Sequence, residues 1–183
     1  MRQYFSLWTA ALLMVSCSPV VNGGITGSAS PAPVSVASPS ASPASSLPGN
    51  VSAESTTQQA AILALTNAER AKAGLDSLRL NLQLQIAAQG HAENMARQTK
   101  LEHTLDGKSF SQRIEAQGYD YQQVAENIYF GSSEPADVVA AWMNSEGHRK
   151  NILTPDLKEL GVGFAISDVN QRGYWVQDFG TSF

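Results

Sequence analysis

Three histidines and one carboxylate set in apolar sequence are where chemistry could reside in this chain of 183 residues. His103 lies in Leu101-Glu102-His103-Thr104 and His148 in Ser145-Glu146-Gly147-His148-Arg149. Both stretches are polar and read as non-helical, and loops are where functional side chains concentrate. Between them, Glu126 follows Val124 and Ala125 and precedes Asn127, Ile128, Tyr129 and Phe130. A carboxylate in such a setting tends to be buried and paired. Two neutral imidazoles and a carboxylate are a reasonable ligand set for Zn2+ or another divalent metal, His103, His148 and Glu126 leaving a fourth position to water. If the metal lowered the pKa of that water and Glu126 took its proton, the set would be a hydrolase with Glu126 and His148 as catalytic residues. A metal-free version would use Ser145 as nucleophile and His148 as base. Plainer uses exist: Glu126 satisfying backbone N–H groups or a histidine in a buried network, His148 anchoring a loop, and His103 closing its segment with a hydrogen bond.

The elements that must position these groups follow from periodicity. Ala61, Ile62, Leu65 and Ala68 recur at helical spacing in a first helix over residues 58–73, with Gly74 as its stop. Leu84, Ala88, His91 and Met95 make one stripe of a second helix over 82–98, which turns His91 inward, where a hydrogen-bonded core role is the simpler expectation. Ser109 and Gln112 form a capping box ahead of a short third helix over 110–117. Ser133 and Pro135 open a fourth that ends near Gly147 and buries Val138, Val139 and Trp142. The tail changes period: residues 160–166 and 173–179 are β-branched and aromatic runs joined by a longer turn, a β-hairpin. Residues 101–104 and 124–130 could add extended segments. Trp142, Tyr174 and Trp175 read as core. Helices flanking a small, mainly antiparallel sheet give an α+β or three-layer fold.

Composition divides the chain. Residues 1–16 carry one cation, Arg2, and an apolar run too short to span a bilayer comfortably, which reads as a signal peptide. Met14-Val15-Ser16-Cys17 resembles a bacterial lipobox, so the single cysteine is expected to be lipidated and to hold the protein at a membrane. Residues 17–57, rich in Ser, Pro and Ala, have no apolar period and are expected to be a disordered tether. Residues 58–183 hold 11 of the 12 Lys and Arg and 15 of the 16 Asp and Glu, one domain able to bury a core. Its net charge of −4 argues against nucleic acid as a partner. With one cysteine there is no disulfide framework and no Cys-pair zinc site. The H-E-x-x-H, G-x-S-x-G, Walker and dinucleotide signatures are missing, and no organic cofactor is expected.

Eight segments in order carry a resemblance: NAERAKAG (67–74), HAENMA (91–96), His103-Thr104, Asp106-Gly107, AENI (125–128), WMNSEGHRKNIL (142–153), LGVGFA (160–165) and YWVQDFG (174–180). Together they resemble a bacterial member of the CAP superfamily, whose relatives are the cysteine-rich secretory, antigen five and group-one pathogenesis-related proteins. The resemblance implies an α-β-α sandwich and a cleft with two His and two acidic residues. His103 resembles the first His, Glu126 the first acid and His148 the second His. The slot of the second acid holds Ser145, with Glu146 one residue later. Asn127 and Arg149 are expected from motif position to support the cleft.

The expected function is that of a tethered extracytoplasmic binding module whose cleft takes a divalent metal and an apolar or glycan ligand, with cell-wall glycan, lipid or protein as partner. The alternatives are the zinc-dependent hydrolase above, acting on an envelope or extracellular substrate, and a purely structural envelope protein.

Overall fold

The computed structural model describes residues 53–183, with side chains from Ser55 onward. The expected leader, Cys17 and the expected tether up to residue 52 lie outside the described residues. The expected domain boundary moves: helix α1 spans Ala53–Lys72 and starts five residues before position 58. Its first turns look like linker because they are polar, yet Ser55 and Gln59 are buried against distant partners. The Ser55 hydroxyl donates to the Phe164 carbonyl at 3.4 Å, and Gln59 Nε2 donates to Gln89 Oε1 at 2.7 Å. Gly74, at φ +72°, ends the turn after α1 as expected.

Helix α2, Leu82–Gln98, is capped by Asn81, whose side chain accepts from the N–H groups of Gln83 and Leu84, and it buries Leu84, Ala88, His91 and Met95. The Ser109–Gln112 capping box opens α3, Phe110–Glu115. The fourth expected helix is two: α4, Pro135–Asn144, and α5, Glu146–Ile152, with Ser145 extended between them at φ −100°, ψ 122°. The break lets both Trp142 and Ile152 reach the core. His148 is therefore on a helix, where the sequence suggested a loop. The N-cap of α4 is Glu134 rather than Ser133, and the Ser132 hydroxyl accepts from Glu134 N–H at 3.0 Å.

The sheet holds β1, Arg79–Leu80, too short to show in periodicity; β2, Tyr121–Gly131; β3, Glu159–Ile166; and β4, Gly173–Ser182. Their order is β1-β3-β4-β2, with β1 parallel to β3 and the other pairs antiparallel. Residues 101–104, expected as extended, form no strand, and His103 lies in this irregular stretch. Helix α2 covers one face of the sheet, and α1, α4 and α5 cover the other. On the α1 face Ile62, Val138, Trp142, Leu160, Val162, Phe164, Trp175 and Phe179 share one core. On the α2 face Ala88, Ala92, Met95, Ile128, Tyr174 and Val176 share another. The fold is the expected α-β-α sandwich, and Trp142, Tyr174 and Trp175 are core residues. Among the described residues no helix is long and apolar enough to cross a membrane.

The LGVGFA run explains how closely α2 approaches. Alternation sends Leu160, Val162 and Phe164 to the α1 face and leaves Gly161 and Gly163 toward α2. A Cβ on Gly161 would lie 2.1 Å from the Leu84 carbonyl carbon, and one on Gly163 would lie 2.1 Å from the Ala88 carbonyl oxygen. Beyond the two residues of β1, Gln85 and Gln89 of α2 take over the edge of β3. Gln85 Oε1 accepts from Val162 N–H at 2.9 Å, and Gln89 accepts from Phe164 N–H and donates to Phe164 O, both at 3.0 Å.

Gly163→Ala should therefore destabilise the domain by about 1–3 kcal/mol through forced separation of backbone from backbone. Gly90→Ala, at an open position within α2, should instead stabilise it by roughly 0.5–1 kcal/mol. Urea denaturation midpoints of the two variants read the contrast.

Candidate functional site

Strand β2 carries adjacent polar residues that point to opposite faces of the sheet, because side chains alternate along a strand. Glu126 faces the α2 side. Its Oε1 accepts from His103 Nδ1 at 2.8 Å, and its Oε2 accepts a short hydrogen bond from Arg113 of α3. His91 Nε2 is 3.9 Å from the same Oε2 and donates to the Glu102 carbonyl at 2.9 Å. The Glu126 side chain is 1% exposed, whereas that of His103 is 52% exposed. The imidazole thus presents its Nε2 edge outward from a buried carboxylate. Burial holds the His91 pKa below its ordinary value against the opposing pull of Glu126, so His91 is a neutral core histidine, as its stripe position suggested.

Asn127 faces the α5 side. Its Nδ2 donates to the His148 carbonyl at 3.2 Å and to Gln177 Oε1 at 3.1 Å. Asn151 Nδ2 returns a bond to Asn127 Oδ1 at 2.9 Å and another to the Glu126 carbonyl at 3.2 Å. Gln177 Nε2 continues the chain to Thr66 Oγ1 of α1 at 2.7 Å. The helix bearing His148 is thereby tied to β2, β4 and α1. Partial burial, and then the charge of His103, lowers the His148 pKa below its ordinary value.

Several expectations change. Glu126 does not stand free as a metal ligand: both its oxygens are engaged, one by a guanidinium, and among the described residues no three His, Cys, Asp or Glu are grouped to hold a metal ion. His103, Glu126 and His148 are not grouped as a three-ligand set among the described residues. Ser145 joins two helices, and among the described residues its hydroxyl makes no hydrogen bond to His148, so no nucleophile–base pair forms. Glu146 is exposed in the first turn of α5. Asn127 holds the His148 carbonyl and Gln177 by hydrogen bonds. Arg149 instead braces the helix junction, donating to the Met143 carbonyl at 3.0 Å.

The sequence reading missed Arg113, which clasps the site. Besides Glu126 it donates to the carbonyls of His103 at 2.9 Å and Lys108 at 3.0 Å, and so fixes the irregular segment that carries His103. It also missed Asp178, the buried acid that lies directly opposite Glu126 on β4. The available signal was the pattern itself: Glu-Asn on one strand and Gln-Asp on its neighbour pair polar with polar on both faces at once.

A family model described as the cysteine-rich secretory protein family, CAP, matches residues 63–179. The chain belongs to the CAP family. It is 38% identical over 136 residues to the YkwD protein of Bacillus subtilis, covering 73% of this chain and 49% of YkwD. It is 37% identical over 125 residues to the membrane protein YlbC of the same organism, covering 68% of this chain and 34% of YlbC. The chain thus spans half or less of these relatives. Among solved structures it is similar to an extracellular protein of Bacillus anthracis containing an SCP domain, with TM-score 0.64, 26% identity and coverage of 73% of this chain and 45% of that one. An outer surface protein of Borrelia burgdorferi has the same fold, with TM-score 0.61, 24% identity and coverage of 67% of this chain and 90% of that one.

Removing the clasp tests the site's construction. Arg113→Met leaves a buried carboxylate without its cation and should cost roughly 3 kcal/mol of stability. It should also release the His103 segment, read as faster amide hydrogen exchange over residues 101–108.

Proposed function

We propose that this CAP domain is an extracytoplasmic binding module, held at a membrane through Cys17, whose ligand is gripped by the outward edges of His103 and His148. The observation that carries this reading is the double engagement of Glu126. With one oxygen on His103 and the other on Arg113, it orients an imidazole and pairs a guanidinium. Placement outside the cytoplasm is supported by the leader-like first 16 residues and by likeness to a Bacillus anthracis protein described as extracellular.

With Nδ1–H on Glu126, His103 offers the Nε2 lone pair to the cleft, the orientation that a carboxylate-buttressed imidazole uses toward a cation or a polar hydrogen. A divalent ion would be held by His103 and His148 alone, with water or ligand oxygens completing its coordination. A polar envelope ligand such as a wall glycan suits the same pair.

Thermal melting of the whole chain with and without Zn2+, and with wall glycan fragments, tests the cleft, since a ligand of the native state raises the melting temperature. A gain that disappears in His103→Ala and in His148→Ala is expected, and a gain kept in the double variant would place binding elsewhere. Glu126→Gln should cost about 1–3 kcal/mol of stability with no turnover to lose. Chelator-sensitive hydrolysis of an envelope substrate, reduced about 10²–10⁴-fold in Glu126→Gln, would make the protein a hydrolase instead.

The tether has its own test. Wild type should partition with membranes, and Cys17→Ala should leave uncut precursor or release soluble protein. Equal retention of the two forms would remove the lipid anchor from this reading.

A further inference from the structure

Beneath the cleft lies a group that the proposed binding does not use. Asp178 is fully buried, and neither carboxyl oxygen has a hydrogen-bond partner in the fold. Its Cα partner on β2 is Glu126, and its partner on β3 is Gly161, which brings no side chain. The charged and titratable groups that face this acid pair are Arg113 from α3, His91 from α2 and His103 from the irregular segment. Arg113 commits its terminal nitrogens to Glu126 and to two backbone carbonyls, and its buried Nε–H bonds neither oxygen of Asp178. His91 has its proton on Nε2, bonded to the Glu102 carbonyl. No N–H therefore solvates a second carboxylate. One guanidinium stands against two buried acids, and two ionised carboxylates side by side on neighbouring strands would leave one negative charge uncompensated.

We propose that Asp178 is a protonated carboxylic acid that hydrogen-bonds to Glu126, so that the pair carries a single charge and Asp178 acts as a positioning residue for His103 through Glu126. Neutral Asp178 supplies what the site otherwise lacks, a donor on the buried side of Glu126. It also keeps a second negative charge away from the imidazole that Glu126 orients. Burial first, and the neighbouring Glu126 charge second, raise the Asp178 pKa well above the ordinary aspartate range, in keeping with this geometry. The inference concerns the cleft proposed above but is independent of what the cleft binds. A cleft that binds neither metal nor glycan leaves it standing, and an ionised Asp178 leaves the binding reading standing.

Carboxyl 13C NMR of the whole chain labelled at aspartate decides it on wild type without a variant. The Asp178 resonance should keep the protonated position through pH 7, whereas titration near the ordinary value of about 3.9 would overturn the proposal. Stability supplies the second readout. A proton held by the folded state and released by the unfolded one above about pH 3.9 makes the native state lose stability as pH rises. Asp178→Asn, which keeps the shape and an N–H donor but cannot ionise, should have a higher urea midpoint than wild type at pH 7, with the gap closing toward pH 4. It should also leave the His103 15N resonances in the Nδ1–H pattern, whereas Asp178→Leu, without a donor, should disturb them. An Asn variant that is less stable than wild type at pH 7, or that disturbs His103 as Leu does, would overturn the proposal.

Discussion

Everything at the cleft depends on one pair of facing dipeptides. Glu126 and Asn127 on β2 lie opposite Asp178 and Gln177 on β4, in register. Strand alternation then sorts the four into an acid pair on the α2 face and an amide pair on the α5 face. The acid pair receives His103 and Arg113. The amide pair receives the backbone of His148 and the side chain of Asn151. One strand thus anchors two histidines that arrive from opposite layers of the sandwich. A register slip of one residue would turn the acids into the α5 layer and the amides toward α2, and both anchorages would be lost together.

The same economy appears at the sheet edges. On one side β1 pairs for two residues only, and Gln85 and Gln89 of α2 bond the β3 backbone where a longer strand would have done so. Their four-residue helical spacing matches two residues of strand because about 6 Å separates each pair. On the other side Asn151 and Trp142 donate to the β2 carbonyls of Glu126 and Ile128. Open edges invite pairing with other chains, and helix side chains take up backbone groups of β2 and β3 here.

With no cysteine in the described domain, covalent bridges play no part in holding its layers. Arg70 takes over much of that role. It is wholly buried, and its guanidinium donates to the carbonyls of Asp76, Ile152, Thr154 and Leu157, which gathers the end of α5 and the approach to β3 onto α1. Burial lowers its pKa, with Asp76 opposing, yet a guanidinium so far above neutrality stays charged. Five donors in a fixed fork suit carbonyls that converge from separate segments.

The helical stripes, the capping box at Ser109, the hairpin and the polar run around Glu126 were legible in the amino-acid sequence, because each is written in neighbours within one or two turns. His91 as a core residue and the tryptophan and tyrosine anchors followed from the same local periods. The start of α1 was not legible, since Ser55 and Gln59 become helix core only through partners 109 and 30 residues away. Nor was the split between α4 and α5, which turns on where Trp142 and Ile152 find the shared core. Composition and motif order determined which residue types meet in the cleft. Only the tertiary structure decided that Arg113 clasps Glu126, and that Asp178 is the buried acid set opposite it, because strand register and the reach of a helix side chain are set by packing between segments that the sequence leaves far apart.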